Sequence, residues 1–196
     1  MLYIIGVAHR AQSRRPDVEL TPEQNQFSLC IRQIIQAARP RFVAEEDSEE
    51  ALAERNQLSI AEEICDAAGV EHRLCDPTQA QRQTLNYRNG QELDIFKHDD
   101  NNLSNSEIHL KARAIELGRY FLIRERFWLE RLEGCRQHDA VFVCGDAHIV
   151  SFTSLLNEQG VRYEIVERGI GVTPQEIEDF RQIREYLEAH PHLATG

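Results

Sequence analysis

The sequence predicts an α/β fold: a mainly parallel sheet of about five strands in a single layer, flanked by helices, with one long helix. Short apolar runs of strand length alternate with segments of helical periodicity, and helix-capping residues separate the two. Strands that alternate with helices pair in parallel through crossover connections. With 196 residues and 41% apolar content, the chain suits a single buried core. We therefore expect one domain over residues 1–196.

Five segments are predicted to be strands, and the first, residues 2–8, is a continuous apolar run of strand length. Continuous apolar runs are typical of parallel sheets, whose strands are covered on both faces. In chain order the expected strands are residues 2–8, 41–46, 70–75, 139–145 and 161–167.

Capping signals predict the helices between these strands. A serine or threonine followed three residues later by Glu or Gln forms a reciprocal cap at a helix N-terminus. Such pairs begin at Thr21, Ser59, Ser104 and Thr173. The helix after Ser104 is expected to run to a C-cap at Gly134, about 45 Å at 1.5 Å per residue, and to bend near Gly118.

Charge and cysteine content exclude several classes of function. The net charge of −11, without a Lys/Arg-rich stripe, disfavours nucleic-acid binding. The five cysteines are odd in number and show no CxxC spacing, which favours reduced thiols and a cytoplasmic protein. No apolar run approaches the ~18 residues of a membrane span, and no basic leader precedes the first strand, so we expect neither a membrane segment nor a signal peptide.

Two expected strands end in the same short motif, Gly-x-x-His. The first strand ends in GVAH (residues 6–9) and the fourth in GDAH (residues 145–148). A third copy, GVEH (residues 69–72), is placed differently, because Gly69 has the position of a helix C-cap. The position of the motif, and not its letters, therefore carries the signal.

The two strand-end motifs predict a site at the carboxyl edge of the sheet, where open parallel sheets bind ligands. The second strand ends in AEED, and strand alternation sends Glu45 and Glu46 to opposite sides. We expect His9, His148 and either Glu45 or Glu46 to converge at this edge. Two imidazoles and a carboxylate form the ligand set of many catalytic metal centres, so these three residues are candidate ligands of a divalent metal: Mn, Co or Zn.

Four segments in order resemble the TraB/TIKI family, within the erythromycin esterase/ChaN-like superfamily. They are GVAH (6–9), RPRFVAEED (39–47), RERFWLERL (124–132) and VCGDAH (143–148). The resemblance implies a metal-dependent hydrolase, a peptidase or esterase, that acts on a peptide or small-molecule substrate. The resemblance also aligns Glu45 with the family's glutamate, so it implies the metal ligands His9, Glu45 and His148 and leaves Glu46 in a solvated helix start. It places Arg126 at the family's Glu-Arg position, where it would face the carboxyl edge of the sheet, called the rim below, and pair with Glu45, Asp47 or an anionic group of the substrate.

This sequence departs from the family pattern at two positions. Phe127 stands where the family often has Asp, and Asp146 where a small or apolar residue is usual. These departures leave the substrate open.

Two other functions stay open from the residues alone. One is a metal-free esterase-like hydrolase in which a histidine is the general base and Glu45 orients it. The other is a protein that binds haem or another small ligand at the same rim.

Cys144 is expected to be a core thiol, since it lies inside a strand. Residues 77–103, with His98, Asp99 and Asp100, have no regular pattern and are either a surface loop or a lid. The sequence gives no signal for the oligomeric state.

Overall fold

A computed structural model of the chain describes residues 1–94 and 104–195. It confirms the α/β class, with a five-stranded parallel sheet flanked by helices in the strand order β5-β3-β6-β1-β7. The strands are β1 (Leu2–Val7), β2 (Ser13–Arg14), β3 (Phe42–Glu45), β4 (Leu58–Ser59), β5 (Glu71–Leu74), β6 (Ala140–Gly145) and β7 (Tyr163–Ile170). The sequence did not predict β2 and β4, which form a short antiparallel pair of their own.

The helices follow the predicted caps closely. They are α1 (His9–Gln12), α2 (Pro22–Ala38), α3 (Glu49–Arg55), α4 (Ile60–Ala68), α5 (Gln79–Thr84), α6 (Gly90–Asp94), α7 (Asn105–Ile115), α8 (Phe121–Arg131), α9 (Ile149–Glu158) and α10 (Pro174–Ala189). Complete capping boxes form at Thr21, Ser104 and Thr173. At Ser59 the side chain accepts the N–H of Glu62.

The predicted long helix is α7 and α8 joined by a π-helical turn, Glu116–Tyr120, which contains Gly118. A Cβ on Gly118 would lie 3.0 Å from the Cα of Ala194, so a close backbone approach requires glycine there. The π-turn is the irregularity that the sequence analysis expected at Gly118.

Apolar clusters cover both faces of the sheet. One contains Trp128, Phe142 and Phe152, and the other contains Phe27 and Ile31. Alternate residues of β1, β3 and β6 enter opposite clusters, as the pleat of a strand requires. Covering on both faces explains the continuous apolar runs of these central strands, whereas most of the edge strand β7 is exposed.

The chain divides into two compact units. The first contains the sheet and comprises Met1–Thr78 and Arg126–Val172. The second is helical and comprises Gln79–Glu125 and Thr173–Gly196, with an apolar cluster that includes Ala114, Ile183 and Leu193. Compact units are not by themselves separate domains, so the single domain stays a prediction.

The segment 77–103 is more regular than expected, since α5 and α6 lie within it. His98, Asp99 and Asp100 lie outside the described residues, so the lid stays a prediction.

Among the described helices, none combines the length and hydropathy that a bilayer crossing needs.

Candidate functional site

The two predicted histidines meet at one carboxylate, that of Glu46. Glu46 Oε1 lies 3.5 Å from His9 Nε2 and 3.7 Å from His148 Nε2. The side chains of Glu46 and His148 are almost entirely buried, whereas that of His9 is 55% exposed. His9 and His148 therefore converge as the sequence analysis expected, and their role as metal ligands stays a prediction.

Strand register brings these residues together. β1 and β6 run side by side with Val7 opposite Gly145, and β3 joins the other edge of β6 with Glu45 opposite Val143. The strands therefore end close to one another. Glu46 follows β3 directly, and its N–H donates to Val143 O at 2.8 Å.

The backbone of the GDAH motif fixes the Glu46 carboxylate. The Gly145 N–H donates to Glu46 Oε2 at 2.6 Å, which leaves the other oxygen, Oε1, directed at the two imidazoles. A buried carboxylate needs such donors, because removing an anion from water without compensation costs several kcal/mol.

The expected position of Glu45 is wrong. Its Oε1 lies 2.9 Å from Nε2 of His72, on β5, and both side chains are buried. Strand alternation did send Glu45 and Glu46 to opposite sides, but the carboxylate beside His9 and His148 is that of Glu46. The expectation of a solvated Glu46 is also wrong, since the residue is 2% exposed. Although it follows the last strand residue, its backbone bond to β6 holds it in the sheet edge.

Arg126 does not belong to the site. Its side chain is exposed, and Asp47, one of its expected partners, pairs with Arg55 at 2.6 Å. The buried member of the Glu-Arg pair is Glu125, with no exposed surface. The helical period explains the error: Phe121, Glu125 and Trp128 are spaced by four and three residues and share the buried face of α8. That spacing was the signal for Glu125 in the sequence.

The glycine of each motif makes room for a residue of the other. A Cβ on Gly6 would lie 2.5 Å from Asp146 Oδ1, within GDAH. A Cβ on Gly145 would lie 3.2 Å from Nε2 of His9, within GVAH, and 3.3 Å from Glu46 Oε2. Because Gly145 has an ordinary φ of −56°, close approach and not backbone freedom explains this glycine.

Aromatic packing fixes the His148 ring. Trp128 meets it edge-on, with ring centroids 4.7 Å apart. The indole itself is held by a hydrogen bond from Nε1 to Asp76 Oδ1 at 3.1 Å. His148 therefore has a defined orientation toward Glu46, which a ligand or catalytic histidine requires.

Asp146 joins the rim to β7. Its carboxylate accepts hydrogen bonds from Arg168 Nε at 3.0 Å, Arg168 Nη2 at 2.9 Å and the Gly169 N–H at 3.1 Å. This pairing raises the pKa of Arg168. The departure from the family pattern at Asp146 thus has a structural partner.

The remaining candidates are structural. Cys144 is fully buried in β6, as expected of a core thiol. Within the described ranges, no three His, Cys, Asp or Glu side chains form a complete metal-binding group. Glu46 Oε1 nevertheless lies within 4 Å of Nε2 of both His9 and His148.

No protein-family model, curated protein or solved structure matches this chain significantly, so the resemblance to the TraB/TIKI family stays an expectation based on its motifs.

Proposed function

We propose that the chain is a hydrolase that cleaves an amide or ester bond of a peptide or small-molecule substrate, with water activated at His9, Glu46 and His148. One observation carries the proposal: a single buried oxygen, Glu46 Oε1, lies 3.5 and 3.7 Å from the Nε2 atoms of two histidines. Imidazole and carboxylate groups at strand ends are the groups that hydrolytic sites use to hold metals and transfer protons.

Two separations in the donor set are near those expected around one divalent cation. Ligand bonds of about 2.0–2.2 Å at tetrahedral angles separate two ligands of one ion by about 3.4 Å. The observed separations of 3.5 and 3.7 Å are near that spacing. They exceed the usual N–H···O distance of about 2.9 Å. His9, Glu46 and His148 would hold Mn, Co or Zn, and a bound cation of this kind lowers the pKa of water so that hydroxide forms near neutral pH.

The three residues differ in access to substrate. His148 is buried against Trp128, and Glu46 is held by the Gly145 N–H, so both keep a fixed geometry. His9 begins the short helix α1 and is half exposed. The open side of the centre is therefore the His9 side, where a scissile carbonyl would approach.

A metal-free hydrolase is a second candidate, favoured by the exposure of His9. An exposed imidazole turns readily, and a movement of about 0.5 Å would bring Nε2 within hydrogen-bonding distance of Glu46. Glu46 would then orient His9 as a general base, as in histidine–carboxylate pairs of other hydrolases.

The adjacent carboxylates offer a matched test of the metal site. We expect Glu46→Gln to abolish metal retention and turnover, because it removes the charge that faces both imidazoles. Glu45→Gln should retain the metal and lose stability, because its partner is His72. The measurements are metal content by mass spectrometry, turnover of an ester and peptide library, and urea unfolding of both variants.

Each alternative has its own result. Loss of metal in Glu45→Gln but not in Glu46→Gln would restore Glu45 as the ligand. Activity in metal-stripped protein that disappears in His9→Gln and Glu46→Gln would establish the metal-free mechanism. A Soret band without turnover would indicate a haem-binding protein.

A further inference from the structure

The guanidinium of Arg168 is fixed by Asp146, a residue of the GDAH motif. Arg168 lies on β7 and donates from Nε and Nη2 to the two oxygens of Asp146. Two parallel hydrogen bonds to one carboxylate fix the plane of a guanidinium. The Gly169 N–H also donates to Asp146 Oδ1, so both the side chain of Arg168 and the backbone beside it hold this carboxylate.

This pair spans the end of β1. Gly145 and Ile170 both lie opposite Val7, so β6 and β7 flank β1 on either side. Asp146 follows β6 directly, and its Oδ1 occupies the space that a Cβ on Gly6 would fill. The carboxylate therefore reaches across β1 to Arg168, and the absence of a side chain at position 6 permits it.

The same arrangement connects Arg168 to the segment that carries the candidate centre. Asp146 lies between Gly145, whose N–H binds Glu46, and His148, two residues further on. Arg168 is thus attached to the one short segment that also orients the carboxylate and one imidazole of the site.

Arg168 retains donors for a ligand. Its side chain is 47% exposed. The hydrogen bonds of its guanidinium involve Nε and Nη2, and the described residues supply no partner for Nη1. A guanidinium remains charged at all physiological pH values and binds carboxylate or phosphate oxygens directionally.

We propose that Arg168 binds an oxyanion of the substrate, a carboxylate or a phosphate, and that the enzyme acts on anionic substrates. This inference rests on the proposed hydrolytic function for its substrate, but not for the anion site itself. The chain carries a net charge of −11, so anions are repelled in general and need a fixed local cation. Arg10 supplies a second one: it follows His9, and its Nη2 donates to the carbonyl of Gly171, just beyond β7.

A binding experiment separates an anion site from a purely structural ion pair. Inorganic phosphate is titrated into chelator-treated protein while the arginine Nε–Hε resonances are followed by NMR. The variants are Arg168→Gln, Arg168→Lys and the control Arg162→Gln. Arg162 is exposed and precedes the same strand at its opposite end, roughly 20 Å away at 3.3 Å per residue.

We expect saturable binding that shifts the Arg168 resonance. Arg168→Gln should weaken phosphate binding about tenfold or more, Arg168→Lys should restore part of it, and Arg162→Gln should leave it within about twofold of wild type. Absence of saturation, or an equal effect of Arg162→Gln and Arg168→Gln, would overturn the anion site. The protein holds no metal in this experiment, so the result does not depend on the proposed hydrolysis.

A second experiment tests the substrate class. Two p-nitrophenyl acyl esters of equal length are compared, one ending in a carboxylate and the other in a methyl group. Arg168→Gln should lower the ratio of kcat/KM for the charged ester to that for the neutral ester about tenfold, mainly through KM. An unchanged ratio would refute the role of Arg168 in substrate binding. If wild-type protein hydrolyses neither ester nor any library member, the hydrolase proposal fails, and the phosphate titration still decides the anion site.

Discussion

Replacing Gly6 by alanine tests how the two Gly-x-x-His motifs fit together. The new Cβ would lie 2.5 Å from Asp146 Oδ1 and 3.0 Å from Ile149 Cγ1. A carbon–oxygen contact needs roughly 3.3 Å, so Oδ1 has to retreat by roughly 0.8 Å. Its hydrogen bonds to Arg168 Nε and the Gly169 N–H already measure 3.0 and 3.1 Å. Such a shift breaks at least one of them.

The opposing contributions decide the sign of the effect. Alanine in place of glycine within a strand favours folding by about 0.5–1 kcal/mol. Two lost hydrogen bonds cost about 1 kcal/mol each at most, because Arg168 is half exposed and water screens its charge. Crowding of the buried Ile149 adds about 1–3 kcal/mol. We therefore expect Gly6→Ala to lower the free energy of unfolding by about 1–3 kcal/mol.

Urea unfolding in a double-mutant cycle isolates the contact. In a background that carries Asp146→Ala, the cost of Gly6→Ala should fall by about 1 kcal/mol, because the clashing oxygen is absent. Gly160→Ala is the control, since Gly160 has a φ of +63° and a Cβ added there would meet no atom within 4 Å. Its cost arises from backbone strain and should be the same with and without Asp146. Additive costs for Gly6→Ala and Asp146→Ala would refute the steric argument.

Three further perturbations follow from the same contacts. Gly145→Ala should change the free energy of unfolding by less than about 1 kcal/mol, because its φ of −56° suits alanine. It should weaken metal binding, because the added Cβ would lie 3.2 Å from the His9 imidazole and 3.3 Å from the Glu46 carboxylate. Urea unfolding and metal titration check the two effects, and an unaltered metal affinity would contradict the second. Trp128→Phe should lower the free energy of unfolding by about 1–3 kcal/mol, because the buried Asp76 loses the indole donor; the loss should shrink in an Asp76→Ala background. Burial raises the pKa of Cys65 and Cys75 to about 12. Unfolded thiols ionise near pH 8.5, so the unfolded state binds fewer protons from about pH 9 to 12 and stability should fall as the pH rises through this window. The urea midpoint should fall less steeply with pH in Cys65→Ala, and an unchanged slope would exclude the thiol as the cause.

The central strands of the sheet were predictable because β1, β3 and β6 are covered on both faces. Full burial produces continuous apolar runs such as residues 139–145, and these runs locate strands without any knowledge of their partners. Their spatial order was not predictable, since strand order depends on contacts between residues far apart in the chain. The pair β2 and β4 was missed for a related reason: two-residue strands have too few positions to show alternation.

Only the two histidines of the candidate site were predictable from the sequence. The position of two Gly-x-x-His motifs at strand ends identified His9 and His148, because parallel strands end at one edge. Alternation separated Glu45 from Glu46 but did not determine which face the histidines occupy. That choice depends on how the chain leaves each strand: Gly145 directs its N–H at Glu46, a contact without a signal in the sequence.

A resemblance to a motif did not locate the buried member of the Glu-Arg pair. The family pattern drew attention to Arg126, whereas the helical period of α8 places Glu125 in line with Phe121 and Trp128. A charged residue in the apolar stripe of a helix is the stronger sign, because burial of a carboxylate requires compensation. The helical period therefore indicates which residue of the pair is buried more reliably than alignment to the two-residue Glu-Arg pattern does.

The third Gly-x-x-His copy shows what distinguishes a site from a structural pair. Gly69 has a φ of +66° and no atom within 4 Å of an added Cβ, so it is a glycine for backbone reasons alone. The motif still brings its histidine to a carboxylate, with His72 only 2.9 Å from Glu45 and 7% of its side chain exposed. In that pair one carboxylate oxygen already lies at hydrogen-bonding distance from its imidazole, and both side chains are buried. The pair of strand-end motifs instead leaves 3.5 and 3.7 Å between Glu46 and its two imidazoles, one of which meets solvent. Binding and catalysis require side chains that are held in place and that a substrate can reach, and of these two neighbouring carboxylates only Glu46 faces a solvent-exposed imidazole.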